Sequence, residues 1–195
     1  MDDEVSRLRN SLIIGVHASN LDGYTAVRKT WGSYAQKLVY LSSMKKEEES
    51  EEGDVPLVNL NQGNNDGHTH QLHANAYQLL KFMHDNFINN FGWFMRTNDN
   101  VYVRVEHLTD NLAKLDPNRE QCFGYPGSGG HKVEYMEGCG VGGPVTIISR
   151  GLLKKLGPHL DQCLRNGSTT NDKDVEKCLR ERVEFQCGKN SEVGD

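Results

Sequence analysis

Apolar residues along the chain fall into short runs separated by polar loops, and the spacing alternates between that of strands and that of helices. Leu12-Ile13-Ile14-Gly15-Val16, Lys37-Leu38-Val39-Tyr40-Leu41 and Pro56-Leu57-Val58-Asn59-Leu60 read as buried strands, Pro56 marking the start of the third. After the first of them comes a polar loop from His17 to Gly23. A short helix follows, with Tyr24, Val27 and Trp31 on one face and Arg28 and Lys29 on the other. Leu72, Ala76, Leu79, Leu80, Met83, Phe87 and Ile88 have helical spacing and predict a helix over 70–91. Trp93 to Thr97 is a fourth strand, and Val105 to Leu115 a helix stopped by Pro117. Cys122 to Tyr125 is a short strand, 127–143 is a glycine-rich loop with a candidate strand at 132–136, and Val145 to Ile148 is apolar. Ser149 is expected to begin a helix through Leu153, Leu156 and Leu160, with a kink at Pro158; a last helix begins at Asp172. The alternation predicts an α/β fold with a mainly parallel sheet flanked by helices. A length of 195 residues suits one domain, with expected bounds of 1–11 for a tail, 12–187 for the domain and 188–195 for a second tail.

The fourth strand changes character at its end. Trp93-Phe94-Met95 gives way to Arg96-Thr97-Asn98-Asp99-Asn100 before Val101 and Tyr102 resume the apolar pattern. Ligands in open α/β sheets sit beyond the carboxyl ends of strands, so Asp99 is placed where a metal and sugar-nucleotide site would be. Asn and Asp also dominate ordinary polar turns, and pattern alone leaves both readings open. His68, His70 and His73 have no acid or cysteine at ligand spacing and read as polar residues at a helix entry. The glycines of 138–143 do not connect a strand to a helix with dinucleotide-fingerprint spacing; they let backbone approach a bound sugar or line a tight turn. Asp174, within Asp172-Lys173-Asp174-Val175-Glu176, is either a helix-capping acid or a general base brought near Asp99 by the fold.

A formal net charge of -5 argues against nucleic acid as a partner, and the run 45–54 is a solvated charged loop. No apolar stretch reaches the roughly 20 residues of a membrane helix, and the acidic start Met1-Asp2-Asp3-Glu4 does not resemble a signal peptide, so neither anchor nor leader is expected in this chain. Five cysteines without a CxxC pair make a zinc knuckle improbable. They fit buried thiols or the disulfides of a lumenal domain, and Asn166-Gly167-Ser168 is an N-glycosylation sequon.

An ordered set of segments then carries a resemblance. Ile14-Gly15-Val16, Arg28-Lys29-Thr30-Trp31-Gly32, Leu80-Lys81-Phe82-Met83-His84-Asp85 and Trp93-Phe94-Met95-Arg96 with Asp99, Val101 and Tyr102 come first. Gly142-Gly143-Pro144, Ser149-Arg150, Pro158-His159-Leu160, Cys163-Leu164-Arg165, Asp174-Val175-Glu176 and Gln186-Cys187 follow. The chain resembles the N-terminal glycosyltransferase domain of chondroitin synthases and chondroitin-polymerizing factor, in glycosyltransferase family 31, and more distantly Fringe and core 1 β1,3-galactosyltransferases.

The resemblance implies a GT-A fold, a UDP-sugar donor, Mn²⁺, a glycosaminoglycan acceptor, inverting β1,3 transfer of a glucuronosyl or other hexosyl unit, and the Golgi lumen or membrane. It implies that Asp99 and Asn100 lie at the metal, that Asp174 is the catalytic base, that Gly142 and Gly143 close over the donor, and that Arg28 abuts the nucleotide. Separately, Cys163 and Cys178 lie close together in the matched segment and are expected to pair. Against the family pattern, the outer two acids of a three-acid metal motif are Asn98 and Asn100, so metal binding is expected to be weakened or lost. Lys173 replaces a glutamate, and the pattern's further metal-binding histidine is not reached before Asp195. A non-catalytic partner or chaperone of an active synthase subunit is therefore the alternative to an enzyme.

Overall fold

The computed structural model describes residues 7–18, 20–42, 57–59, 68–125, 144–166 and 172–184. Its described strands are β1 Leu12–Ala18, β2 Lys37–Ser42, β3 Leu57–Asn59, β4 Trp93–Asn98, β5 Cys122–Tyr125 and β6 Val145–Ser149. They form one sheet in the order β3-β2-β1-β4-β6-β5. β1 pairs in parallel with β2 and β4, and β2 with β3, whereas β6 runs antiparallel to both β4 and β5. The expected mainly parallel α/β sheet is what forms, with β6, second from the edge, running against the other strands.

All seven residues of β1 are buried, as a central strand covered on both faces must be. Alternation divides its side chains between two cores. Leu12, Ile14 and Val16 join Tyr24, Val27, Trp31 and Met95 under α1 (Leu21–Lys29) and α3 (Val105–Leu112). Ile13 joins Leu79, Met83, Phe94, Leu152 and Leu156 under α2 (His68–Phe87), α4 (Arg150–Asn166) and α5 (Asp172–Arg182). Gly15 sets how closely α2 lies over β1: a Cβ there would fall 2.7 Å from Leu79 Cδ2.

Several boundaries differ from expectation for local reasons. The segment from His17 to Gly23 is not all loop, because Asn20 caps α1 and Gly23 lies in its first turn. Trp31 is buried with Tyr24 and Val27 but sits in a separate 3₁₀ turn, Trp31–Tyr34. α1 stops before it, and the Thr30 hydroxyl donates back to the Ala26 carbonyl at 2.6 Å. α2 ends at Phe87; Ile88 and Phe91 reach the same core from the turn that follows. Ser149 closes β6 instead of opening a helix, and its hydroxyl oxygen caps α4 by accepting from the Leu152 N–H at 3.2 Å. α4 holds Pro158 inside its span. The loops predicted over 45–54 and 127–143, with the candidate strand at 132–136, lie outside the described residues.

Cys163 and Cys178 form a disulfide with Cα atoms 5.6 Å apart, tying α4 to α5 and matching the pair expected from their closeness in the chain.

Candidate functional site

Sheet order locates the crevice before any side chain is considered. From β1 the chain moves outward to β2 and β3, then returns to place β4 on the other side of β1. Strand order reverses between β1 and β4, and ligands bind beyond the carboxyl ends of strands at such a switch point. His17 pairs with Asn98 at that edge. Just beyond, the Asp99 N–H donates to the His17 carbonyl at 3.1 Å, and the Val101 N–H to the Asn98 carbonyl at 3.3 Å. A polar turn centred on Asp99 and Asn100 is thus fastened to β1 at the carboxyl edge of the sheet. The polar turn that the sequence allowed is what forms.

Gly23 decides where the Asp99 side chain can go. A Cβ on Gly23 would stand 2.1 Å from Asp99 Oδ2 and 2.8 Å from its Cγ. The carboxylate therefore lies on the first turn of α1, where the Asn20 side chain accepts from the Gly23 N–H at 2.8 Å. Backbone N–H groups of that turn favour negative charge. Meanwhile His17 and Arg96 are buried, with 4% and 5% of their surface exposed. Burial and the Arg96 charge hold the His17 imidazole below its ordinary pKa, while Asp99 acts in the opposite sense. His17 is therefore neutral at pH 7, between a cation and an anion.

Arg28 is exposed on the same helix as Gly23, five residues and roughly 7 Å further along its axis. It sits toward β2, within electrostatic reach of Tyr40. Burial raises the Tyr40 phenol's pKa, Tyr24 adds to the rise, and Arg28 offsets part of it. Tyr24 and Tyr40 meet edge to face with centroids 4.4 Å apart.

Topology brings residue 174 to the same edge. α4 starts at the amino end of β4, where the Arg150 N–H donates to the Gly92 carbonyl at 2.8 Å. Its 17 residues span roughly 25 Å, more than the roughly 20 Å of β4, so it ends toward the carboxyl edge. α5 returns: Lys155, near the start of α4, donates to the Glu184 carbonyl just past the end of α5, at 3.0 Å. Asp174, in the first turn of α5, thus belongs to the edge that carries Asp99, on the face of His17 and Arg96. Its side chain lies outside the described residues, as do Gly142 and Gly143.

Asn98 is half-buried and Asn100 exposed. Among the described residues no three His, Cys, Asp or Glu side chains gather around a possible ion. A hard divalent cation wants several oxygen ligands carrying net negative charge. One carboxylate flanked by two amides, with a buried guanidinium close enough to act on the same imidazole, fits such an ion poorly. Past the turn, Tyr102 is 72% exposed and borders a groove of about 330 Å³, lined also by Trp31, Tyr34, Val103, Arg104 and His107.

Sequence reasoning missed His17, Asn20, Gly23 and Arg96 as companions of Asp99. The available signals were the polar break after Val16 and the Asn-x-x-Gly helix entry, both visible in the chain.

A family profile described as Fringe-like matches residues 17–189. Chondroitin sulfate synthase 3 of Homo sapiens is 28% identical over 193 residues, covering 93% of this chain and 22% of that protein. Chondroitin sulfate synthase 3 of Mus musculus is 29% identical over 173 residues, covering 83% of this chain and 19% of that protein. Chondroitin sulfate glucuronyltransferase of Homo sapiens is 29% identical over 115 residues, covering 56% and 14%. The chain thus spans about a fifth, or less, of the length of these relatives.

Proposed function

The chain belongs to the Fringe-like family, and from that premise we propose that it takes a UDP-sugar donor at the carboxyl ends of β1 and β4 and transfers the sugar to a glycosaminoglycan acceptor. Similarity to chondroitin synthases supports a glycosyltransferase-like domain. The observation that carries the donor site is the Asp99 turn, held at the switch point and seated on Gly23.

In this proposal each residue has a distinct task. Asp99 accepts hydrogen bonds from hydroxyls of the nucleotide sugar, and Arg28 supplies positive charge beside the nucleotide. Gly142 and Gly143 close over the donor. An acceptor hydroxyl attacks the anomeric carbon while the bond to the UDP oxygen breaks on the opposite face. Its proton passes to the Asp174 carboxylate, and UDP departs with the bonding pair, inverting the configuration. Mn²⁺, expected from the family, would supply charge to the departing diphosphate; the donor set here fits it poorly, and no step is assigned to it. The Cys163–Cys178 disulfide supports an oxidising compartment, the Golgi lumen in this proposal. Among the described residues no helix is long and apolar enough to cross a membrane.

Calorimetry with UDP tests the donor site: the chain should bind UDP, and Asp99→Ala should weaken binding by about tenfold or more. Absence of UDP binding at millimolar ligand refutes it. The two amides beside Asp99 favour a second reading, a non-catalytic partner of an active synthase. Asp174→Ala separates the two. It abolishes transfer if this chain is the enzyme, and leaves any gain in polymer from a co-expressed synthase intact if it is the partner.

A further inference from the structure

We infer that the turn at the end of β4 holds the donor's diphosphate without a divalent cation, with the side-chain amides of Asn98 and Asn100 as donors. The inference rests on the nucleotide-sugar reading of this crevice and concerns how that ligand's charge is met. Asp99 is the turn's one carboxylate, and its charge is already opposed by the N-terminal turn of α1 beneath it. Arg96, buried in the adjoining strand, contributes a formal charge of opposite sign, and both charges act on His17, which is neutral. Asp22, also in the first turn of α1, faces solvent. Arg28, further along that helix, adds positive charge. Among the described side chains of this edge, two acids and two arginines balance, so from them a divalent cation meets no net negative field and a diphosphate no net repulsion.

A carboxylate offers only acceptor oxygens, so acids at 98 and 100 would need a cation between themselves and a phosphate. An amide offers two N–H donors, which phosphate oxygens accept directly. Neither Asn98 nor Asn100 is fully buried, and among the described residues neither side chain is engaged in a hydrogen bond. Their donors are available at the edge where the ligand would sit.

UDP titrations of the full chain in EDTA and in saturating Mn²⁺ test this. The dissociation constants should agree within about threefold. Asn98→Asp/Asn100→Asp should weaken UDP binding by about tenfold or more in EDTA, and Mn²⁺ should restore it. The exposed Asn100→Asp alone should show the same trend more weakly, and serves if the double variant does not fold. Binding of UDP to the parent chain only with Mn²⁺ overturns the inference and leaves the nucleotide-sugar reading standing. Unchanged binding by the variants in EDTA overturns the role of the two amides. No binding under either condition overturns the inference and the nucleotide-sugar reading together.

Discussion

Replacing Gly23 with alanine would put a methyl carbon 2.1 Å from Asp99 Oδ2 and 2.8 Å from its Cγ. Ordinary contact begins near 3.4 Å, so the carboxylate must retreat by more than 1 Å. Two opposing effects bear on stability. Alanine is a better helix former than glycine by about 1 kcal/mol in a helix interior. Overpacking costs about 1–3 kcal/mol where neighbours cannot yield. Asp99 is only half-buried, which puts the cost at the low end. Net stability should change by no more than about 1 kcal/mol, or roughly 2–4 °C in Tm for a chain of this size.

Ligand binding should respond quite differently, since a 1 Å misplacement of a positioned group can cost on the order of a hundredfold. Gly23→Ala should weaken UDP binding by about tenfold or more while the thermal transition barely moves. The cycle with Asp99→Ala gives the sharper readout. If Gly23 acts only through Asp99, the double variant should bind no worse than Asp99→Ala alone. Two losses that add, or a large drop in Tm for Gly23→Ala, would refute the reasoning.

The His17 pKa is lowered by burial and by Arg96, so the unfolded chain takes up a proton near pH 6.5 that the folded chain does not. Stability should be level above about pH 6.5, fall as pH drops below it, and flatten once folded His17 protonates; urea midpoints across this range should show the slope, and His17→Gln should remove it. Reduction of Cys163–Cys178, which closes a loop of sequence separation 15, should cost about 3 kcal/mol and lower Tm by roughly 10 °C, as should the double alanine variant. Gly92→Ala should destabilise by about 3 kcal/mol in urea, because its Cβ would lie 2.0 Å from the Leu8 backbone carbonyl oxygen, which cannot swing aside.

Most of the sheet was legible because its causes are local. Runs such as Leu12 to Val16 and Trp93 to Thr97 are short, apolar and ended by polar residues, which buried strands require. Asp99 was legible because a strand's end can be read from where its apolar run stops. Boundaries were harder. Ser149 continues β6 because it pairs with Trp93 of β4 and its N–H donates to the Gln121 carbonyl, and no local pattern announces either partner. The surroundings of Asp99 were harder still. His17 and Arg96 share one electrostatic environment because β1 and β4, distant in sequence, are adjacent in the sheet. Gly23 reads as one more residue of a polar loop until the carboxylate lying on it is seen. Distances across strands carry that information, and spacing along the chain does not.

The placement of Asp99 and the identity of its neighbours rest on separate physical grounds. The turn is fixed by two backbone hydrogen bonds, from the Asp99 N–H to the His17 carbonyl and from the Val101 N–H to the Asn98 carbonyl, and by the space left at Gly23. None of these uses the side chains at 98 and 100, and asparagine suits a turn as well as aspartate does. Exchanging acid for amide at those positions therefore costs the fold little and can change the chemistry of the edge alone. Gly23 is the more telling residue. In a nine-residue helix a glycine forgoes up to about 1 kcal/mol relative to alanine, and here it does so where a methyl group would displace Asp99. The N-terminal turn of α1 stabilises the Asp99 carboxylate there by about 0.3–1 kcal/mol, so the arrangement offsets part of the glycine's cost while fixing where the charge sits. The pairing of Gly23 with Asp99 is what a positioned carboxylate requires, which is why the double-variant cycle between them bears more directly on function than either substitution alone.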